Sequence, residues 1–199
     1  MTEFESTGGS VCLDFANTWG NRTDPANDRL RSYSDLLRWA ESAGIVRDAA
    51  LRALRELARE QADGASVVFE GALELRDTVY RLCASAARGE RLAQHDLEEL
   101  NRAFADLPQQ RLCCGGACCE WTWGGDEPDL RLPVWGVLRS AADLLTSPDA
   151  ARIRECEAPD CNWLFLDRSR GRRRRWCDMS SCGNRAKARR YYARHHGNP

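Results

Sequence analysis

Apolar residues recur at helical spacing along most of the chain before residue 150. The spacing predicts helices over residues 32–43, 67–88 and 133–145, with shorter ones that begin near residues 48 and 95. Ser32 and Asp35 are typical of a capped helix start, and Gly44 of a helix end. We expect the apolar faces of these helices to form one core that contains Leu36, Trp39, Leu54, Leu75, Val79, Leu100, Trp135 and Leu138.

A different pattern interrupts the helices at residues 111–124. Apolar residues alternate there around two glycines, which predicts a β-hairpin. Four cysteines lie at its tip: Cys113, Cys114, Cys118 and Cys119. Adjacent cysteines of a strand point to opposite faces and chelate a single ion poorly. We therefore expect incidental surface thiols, and the alternative of a second metal site or a redox role stays open.

Two cysteine pairs near the end of the chain have the spacing of a metal site. Four residues separate Cys156 from Cys161 and Cys177 from Cys182, and fifteen residues lie between the pairs. Two such knuckles can supply four thiolates to a tetrahedral zinc ion. Four protein ligands leave no position for water or substrate, so the pattern predicts one structural Zn²⁺ ion. The alternative is four buried or disulfide-bonded cysteines with coincidental spacing.

The residues around these cysteines predict a small module. Residues 162–166 have the pattern of a short strand, and residues 175–176 are its expected partner. Ser180 or Ser181 can cap a helix that begins near Cys182. We expect a mostly α fold of the α+β type, with a helical N-terminal domain and small β-hairpin over residues 1–151. A four-cysteine zinc-finger module that ends in a helix follows over residues 152–199. Loss of Cys177 is expected to unfold this module and leave the helical body intact.

Charge is distributed unevenly along the chain. Residues 152–199 contain twelve arginines and one lysine against five acids, a balance of +8, whereas the other residues have 16 basic and 25 acidic side chains. This asymmetry favours a polyanion partner for the basic end only. The expected nucleic-acid contacts are Arg172, Arg173, Arg174, Arg175, Asn184, Arg185, Lys187, Arg189, Arg190 and Arg194.

Asn184 and Arg185 have the chemistry to read base edges, since Asn pairs with adenine and Arg with guanine. The alternative is that arginines in this region neutralise a zinc ion with four thiolates. In that case Arg185 hydrogen-bonds a cysteine sulfur or braces Asp167.

Several of these motifs resemble known families. The segments Cys182-Gly183-Asn184-Arg185, Phe165-x-Asp167 and Arg175-Trp176-Cys177, together with Lys187, resemble the CGNR zinc-finger family over roughly residues 154–192. That resemblance implies zinc ligands at Cys156, Cys161, Cys177 and Cys182, and nucleic-acid binding in a bacterial transcription regulator. Residues 8–19 and 30–39 resemble the opening of the ABATE domain, a stress-linked regulator that commonly precedes this finger.

The sequence thus predicts a zinc-containing DNA-binding transcription regulator. Its N-terminal domain is expected to sense a small-molecule effector or to form a homodimer. Asp14, Asn17 and Trp19 are the candidates for a ligand-pocket wall, and bracing of the turn at residues 20–21 is the alternative role. The other function class is a protein-interaction module or RNA binder without sequence-specific DNA binding.

Other classes lack support in the sequence. No phosphate-binding glycine loop, nucleophile elbow or His-Glu zinc-protease motif occurs, so we do not expect an enzyme. No run of eighteen apolar residues occurs, and the acidic start lacks the features of a signal peptide. We therefore expect a cytoplasmic protein that does not enter the membrane.

Overall fold

Helices dominate this computed structural model, which describes residues 4–46, 48–114, 118–124 and 127–196. The helices are α1 (Val11–Ala16), α2 (Tyr33–Ser42), α3 (Asp48–Glu60), α4 (Ala62–Ala87), α5 (Gln94–Ala105), α6 (Leu132–Leu145) and α7 (Asn184–His196). Two antiparallel hairpins pair β1 (Gln110–Cys114) with β2 (Cys119–Trp123) and β3 (Ile153–Glu155) with β4 (Leu164–Leu166). The expected mostly α fold is confirmed.

The predicted helices are present with shifted ends. Helix α2 begins where expected, because the Ser32 hydroxyl accepts a hydrogen bond from the backbone N–H of Asp35 at 3.3 Å. Helix α4 begins at Ala62, five residues before the predicted start. Burial of Ala65 in the core accounts for this extension, since tertiary packing outweighs the weak helix propensity of Gly64. Among the described residues, no helix has both the length and the apolar content to cross a membrane.

The main core lies where helices α1, α2, α4 and α6 meet. The rings of Phe15 and Trp39 pack there with centroids 4.7 Å apart. Trp135 is also buried, but its ring faces the first hairpin, 5.6 Å from the ring of Trp123. The other seven predicted core residues all belong to the main core: Leu36, Trp39, Leu54, Leu75, Val79, Leu100 and Leu138.

Strand β4 is buried on both faces and contributes to two cores. Leu164 and Leu166 belong to the main helical core, together with Ile153 of β3. Phe165 lies between them and packs with the four C-terminal cysteines in a second cluster. Successive side chains of a strand point to opposite faces, so three residues suffice to join the two clusters.

The predicted strand partner of β4 is wrong. Strand β4 pairs with β3, with Ile153 opposite Leu166 and Glu155 opposite Leu164, and not with residues 175–176. Ile153 brings an apolar side chain into the helical core, which the side chain of Arg175 could not do without burying a charge. The carbonyl of Arg175 instead accepts a hydrogen bond from the N–H of Glu157 at 3.0 Å.

Residues on either side of α1 hold this hairpin. The Asn17 side chain, which is 3% exposed, donates to the Leu164 carbonyl at 2.9 Å and accepts from the Leu164 N–H at 2.8 Å. The N–H of Leu166 donates to the Gly8 carbonyl at 2.8 Å, and the N–H of Asn21 to the Cys161 carbonyl at 2.8 Å. The division of the chain at residue 151 stays a prediction, but these bonds pack the two segments against each other.

Gly20 provides a test of this packing because a side chain there would collide with Trp163. A Cβ atom at position 20 would lie 2.6 Å from Trp163 Nε1. We expect Gly20→Ala to displace the indole and lower the free energy of unfolding by about 1–3 kcal/mol in a urea titration.

Gly71→Ala is the matched control. Gly71 lies within α4, and a Cβ atom there would have no neighbour within 4 Å. This substitution should raise the free energy of unfolding by about 0.5–1 kcal/mol, because alanine loses less backbone entropy in a helix. Equal effects of the two substitutions would contradict the packing described for Gly20.

Candidate metal centre and basic surface

Four buried cysteine sulfurs converge between the knuckles of the C-terminal segment. The Sγ atoms of Cys156, Cys161, Cys177 and Cys182 all lie within 4.8 Å of one another. The distances from the sulfur of Cys177 to those of Cys161 and Cys182 are both 3.6 Å. A tetrahedral zinc site with Zn–S bonds of about 2.3 Å has sulfurs about 3.8 Å apart. The four donors therefore fit one zinc ion.

Electrostatics also favour a cation at this point. Hydrogen bonds from Cys161 and Cys177 lower the pKa of the Cys156 thiol. The pKa values of Cys161 and Cys177 are both raised, chiefly by their hydrogen bonds to Cys156. Four sulfurs this close cannot all be thiolates unless a cation lies among them, and zinc supplies the required charge. The cluster is the site of one structural zinc, as the sequence predicted.

The loop between the knuckles is closed by Asp167 and Arg174. The buried Asp167 carboxylate accepts from the N–H groups of Ser169 and Arg174, each at 2.9 Å. The Arg174 guanidinium lies 4.4 Å from the Phe165 ring centroid. It also donates to the carbonyls of Trp176, at 2.9 Å, and Cys177. Arg174 thus holds the second knuckle, a role that was not expected from its place in the arginine run.

The segment that leads into α7 starts earlier than predicted. A π-helical turn occupies Met179–Gly183, and the carboxylate of Asp178 accepts from the N–H of Ser181 at 3.0 Å. Asp178 is therefore the cap, and the expectation of Ser180 or Ser181 is corrected. The cap differs from the expected one because the helical turn begins at Met179, which places Asp178 at the N-cap position.

The side chains of half of the predicted nucleic-acid residues have partners in the two zinc knuckles, whereas Arg190 donates to the Ala186 carbonyl of its own helix at 3.3 Å and lies over the Trp176 ring. Arg174 belongs to the half with knuckle partners. Arg175 pairs with Glu157, with its Nε 2.6 Å from the carboxylate. Arg189 donates to Asp160 at 3.1 Å. The sequence prediction missed Asp160, although an acid between two zinc ligands in a basic segment was a signal of such a partner.

Asn184 and Arg185, the candidates for base reading, are also held. The Asn184 amide donates to the Ser180 carbonyl at 3.1 Å. The Arg185 guanidinium donates to the Cys182 sulfur at 3.1 Å and lies 3.6 Å from the Asp160 carboxylate. This geometry matches the alternative in which Arg185 hydrogen-bonds a cysteine sulfur, here that of Cys182, and not the one in which it braces Asp167.

The other five candidates are exposed, and none has an acidic partner within the described ranges. They are Arg172, Arg173, Lys187, Arg190 and Arg194. Lys187, Arg190 and Arg194 are three and four positions apart, so they share one face of α7. The arginines at 185 and 189 lie on the opposite face, toward the first knuckle. We call the five exposed residues the outward basic surface.

The three ligand candidates lie around α1 and make internal contacts. The Asn17 amide is occupied by Leu164. Asp14 accepts from the Gly8 N–H at 2.8 Å, and burial raises the pKa of Asp14 to about 6. Trp19 donates to the Asp24 carbonyl at 3.3 Å, and its ring has arginine guanidiniums 5.1 and 5.4 Å from its centroid. A ligand role for these residues stays a prediction.

Arg185 offers a test of the metal centre. Arg185→Ala removes a hydrogen bond to a zinc-bound sulfur, and loss of such a supporting contact typically lowers metal affinity about 10–100-fold. We expect a decrease of that size in competition with a chromogenic chelator. Arg194→Ala removes the same charge from the same helix and should leave zinc affinity unchanged. Equal affinities for the two variants would show that Arg185 does not support the centre.

Two family models match the chain. The model of the CGNR zinc finger matches residues 152–195. The ABATE model, described as "Putative stress-induced transcription regulator", matches residues 9–148. No curated protein matches the chain. Because the ABATE match covers more than half of its length, the chain belongs to the ABATE family, and a CGNR zinc finger follows its ABATE domain.

Proposed function

We propose that this protein is a DNA-binding transcription regulator that contacts phosphates through the outward basic surface. The observation that carries the proposal is the absence of acidic partners for these five cations among the described residues, next to arginines that do have such partners. A cation already paired with a carboxylate is partly neutralised before a phosphate arrives. Cations without an acidic partner keep their full charge, release counterions from DNA and supply affinity.

The character of α7 supports the same role. The helix has no apolar face, and nearly all of its side chains are exposed. A helix that is polar on all sides gains little from packing on its own protein. Its thirteen residues span about 20 Å, and its first two turns are fixed by the contacts of Arg185 and Arg189. Such a helix is long enough to lie along or within a DNA groove.

Because Asn184 and Arg185 are held internally, we propose that phosphate contacts dominate affinity. Phosphate contacts position a protein on DNA but carry no sequence information. Base reading by Arg185 would require release of its bond to Cys182. We therefore propose that the finger binds the DNA backbone and that any sequence preference comes from other contacts.

We further propose that the helical body provides the regulatory input, through a small-molecule effector or a homodimer contact. The bonds between α1 and β4 support this assignment, because a shift of α1 would move the finger with it. We propose that the protein binds DNA without catalysing a reaction. We also propose that it acts in the cytoplasm, where a bacterial regulator meets DNA.

The proposal is tested by the salt dependence of DNA binding. For zinc-loaded protein and a fluorescent DNA duplex, five phosphate contacts predict a log–log slope of affinity against salt of about −4 to −5. Replacing Lys187, Arg190 and Arg194 with Ala should reduce the magnitude of that slope by about 3 and weaken all duplexes by similar factors.

A charge-matched control separates this surface from net charge. Arg52, Arg59 and Arg102 are exposed on α3 and α5, and their replacement with Ala removes the same three charges. This variant should bind like the unmodified protein. Binding that does not change with salt, or equal losses in both triple variants, would reject the proposal and favour a protein-interaction module.

A further inference from the structure

The ten cysteines of this chain differ in exposure according to their place in the fold. Six are buried: the four zinc ligands, together with Cys12 and Cys83. The remaining four are exposed at the tip of the β1–β2 hairpin. Cys113 and Cys118 are free there, and Cys114 is disulfide-bonded to Cys119. The accessible cysteines are therefore confined to the tip of the β1–β2 hairpin.

The register of the hairpin explains which of these cysteines pair. Cys114 lies directly opposite Cys119, so the two side chains are on the same face. Cys113 points to the other face, where its sulfur lies 3.1 Å from the Thr122 hydroxyl. The expectation of four incidental surface thiols is thus corrected for Cys114 and Cys119, because the strand pairing brings them together.

We propose that the hairpin tip is a site of reversible thiol oxidation, in which Cys114 and Cys119 alternate between dithiol and disulfide. The oxidant is of the hydroperoxide class. One thiol is oxidised to a sulfenic acid while the O–O bond breaks and an alcohol or water leaves. The facing thiol then attacks that sulfur, the S–S bond forms, and water leaves. An external dithiol reverses the change by exchange and becomes a disulfide itself.

The disulfide would control the order of the hairpin because the described residues next to it make few other contacts. Leu112 and Trp121 lie opposite each other, one step from Cys113 toward the base of the hairpin, and their side chains are 58% and 60% exposed. The base is anchored differently, by a hydrogen bond from the Gly124 N–H to the Gln109 carbonyl and by the packing of Trp123 on Trp135. Isolated two-stranded hairpins are marginally stable in water. Reduction should therefore release the tip and leave the base in place.

This change would reach a groove in the helical body. Trp121 and Trp123 line a groove of about 910 Å³ whose other walls include Ala53 of α3 and Trp135 of α6. In the disulfide state the paired strands hold both tryptophans at this groove. In the dithiol state Trp121 loses the pairing that positions it, so the redox state of the tip sets the shape of the groove.

The zinc ligands have a different exposure from the hairpin pair. The cysteines of the metal centre are 2–7% exposed, and a bound zinc ion would engage their thiolates. Oxidation is selective for accessible thiols. The hairpin should therefore oxidise at peroxide doses that leave the metal centre intact.

The experiment uses full-length, zinc-loaded protein that has first been reduced. A low dose of hydrogen peroxide should remove two hydrogen atoms from the intact mass, and peptide mapping should place the new bond between Cys114 and Cys119. Zinc content should not change. Backbone amides of the hairpin should exchange more slowly with solvent deuterium after oxidation, and a small dithiol should restore fast exchange.

Two double variants complete the test. Cys113→Ser with Cys118→Ser should keep the mass change and the exchange difference, because the facing pair remains. Cys114→Ser with Cys119→Ser should abolish both. Random pairing among the four cysteines, zinc release before hairpin oxidation, or identical exchange in the two redox states would overturn the proposal.

Discussion

Strand β4 has one apolar face in each of two cores, and the arrangement of the molecule depends on this strand. Leu164 and Leu166 fill space between the helices, whereas Phe165 covers the zinc cysteines. Neither face can be exposed without losing the burial of large apolar side chains, which contributes about 1.5–3 kcal/mol for each. The backbone N–H and C=O groups of the strand hydrogen-bond to β3 on one side and to Asn17 and Gly8 on the other.

Metal binding is therefore coupled to more than the finger. A structural zinc contributes on the order of 10–16 kcal/mol of apparent binding energy, which folding and binding share. Phe165 packs among the zinc cysteines, and its strand neighbours Leu164 and Leu166 pack in the helical core, so loss of the metal would be felt by both cores. The expectation that loss of Cys177 would leave the helical body intact no longer follows, because Leu164, Leu166 and Ile153 belong to the core of that body.

The basic segment shows how neighbouring residues of one type can have different tasks. Arg173 and Arg174 are adjacent, yet Arg173 is exposed and Arg174 covers Phe165 and binds two carbonyls. On α7 the two faces divide in the same way, with Asp160 next to one face only. Arginines that hold the finger together are thus separated from arginines that are exposed and have no acidic partner in the described part of the chain.

The sequence predicted features that depend on local spacing. The zinc ligands follow from two knuckles of fixed length, and helix α2 from apolar spacing and its Ser32 cap. The pairing of β3 with β4 could not be predicted from local spacing, because the segments of Arg175 and Ile153 are both possible partners of β4. Ile153 is the partner because its apolar side chain can be buried in the helical core. The role of Asn17 and the pairing of Cys114 with Cys119 likewise depend on how distant segments or strand register bring atoms together.

Hydrogen exchange after zinc removal tests the shared strand most directly. Amide exchange would be followed in zinc-loaded protein and after treatment with a chelator, with α5 as the reference because it packs on α4 away from the finger. We expect α1 to lose protection together with β4 and the knuckles, while α5 changes least. Loss of protection in the finger with α1 unchanged would show that the two cores are independent and that β4 does not couple them.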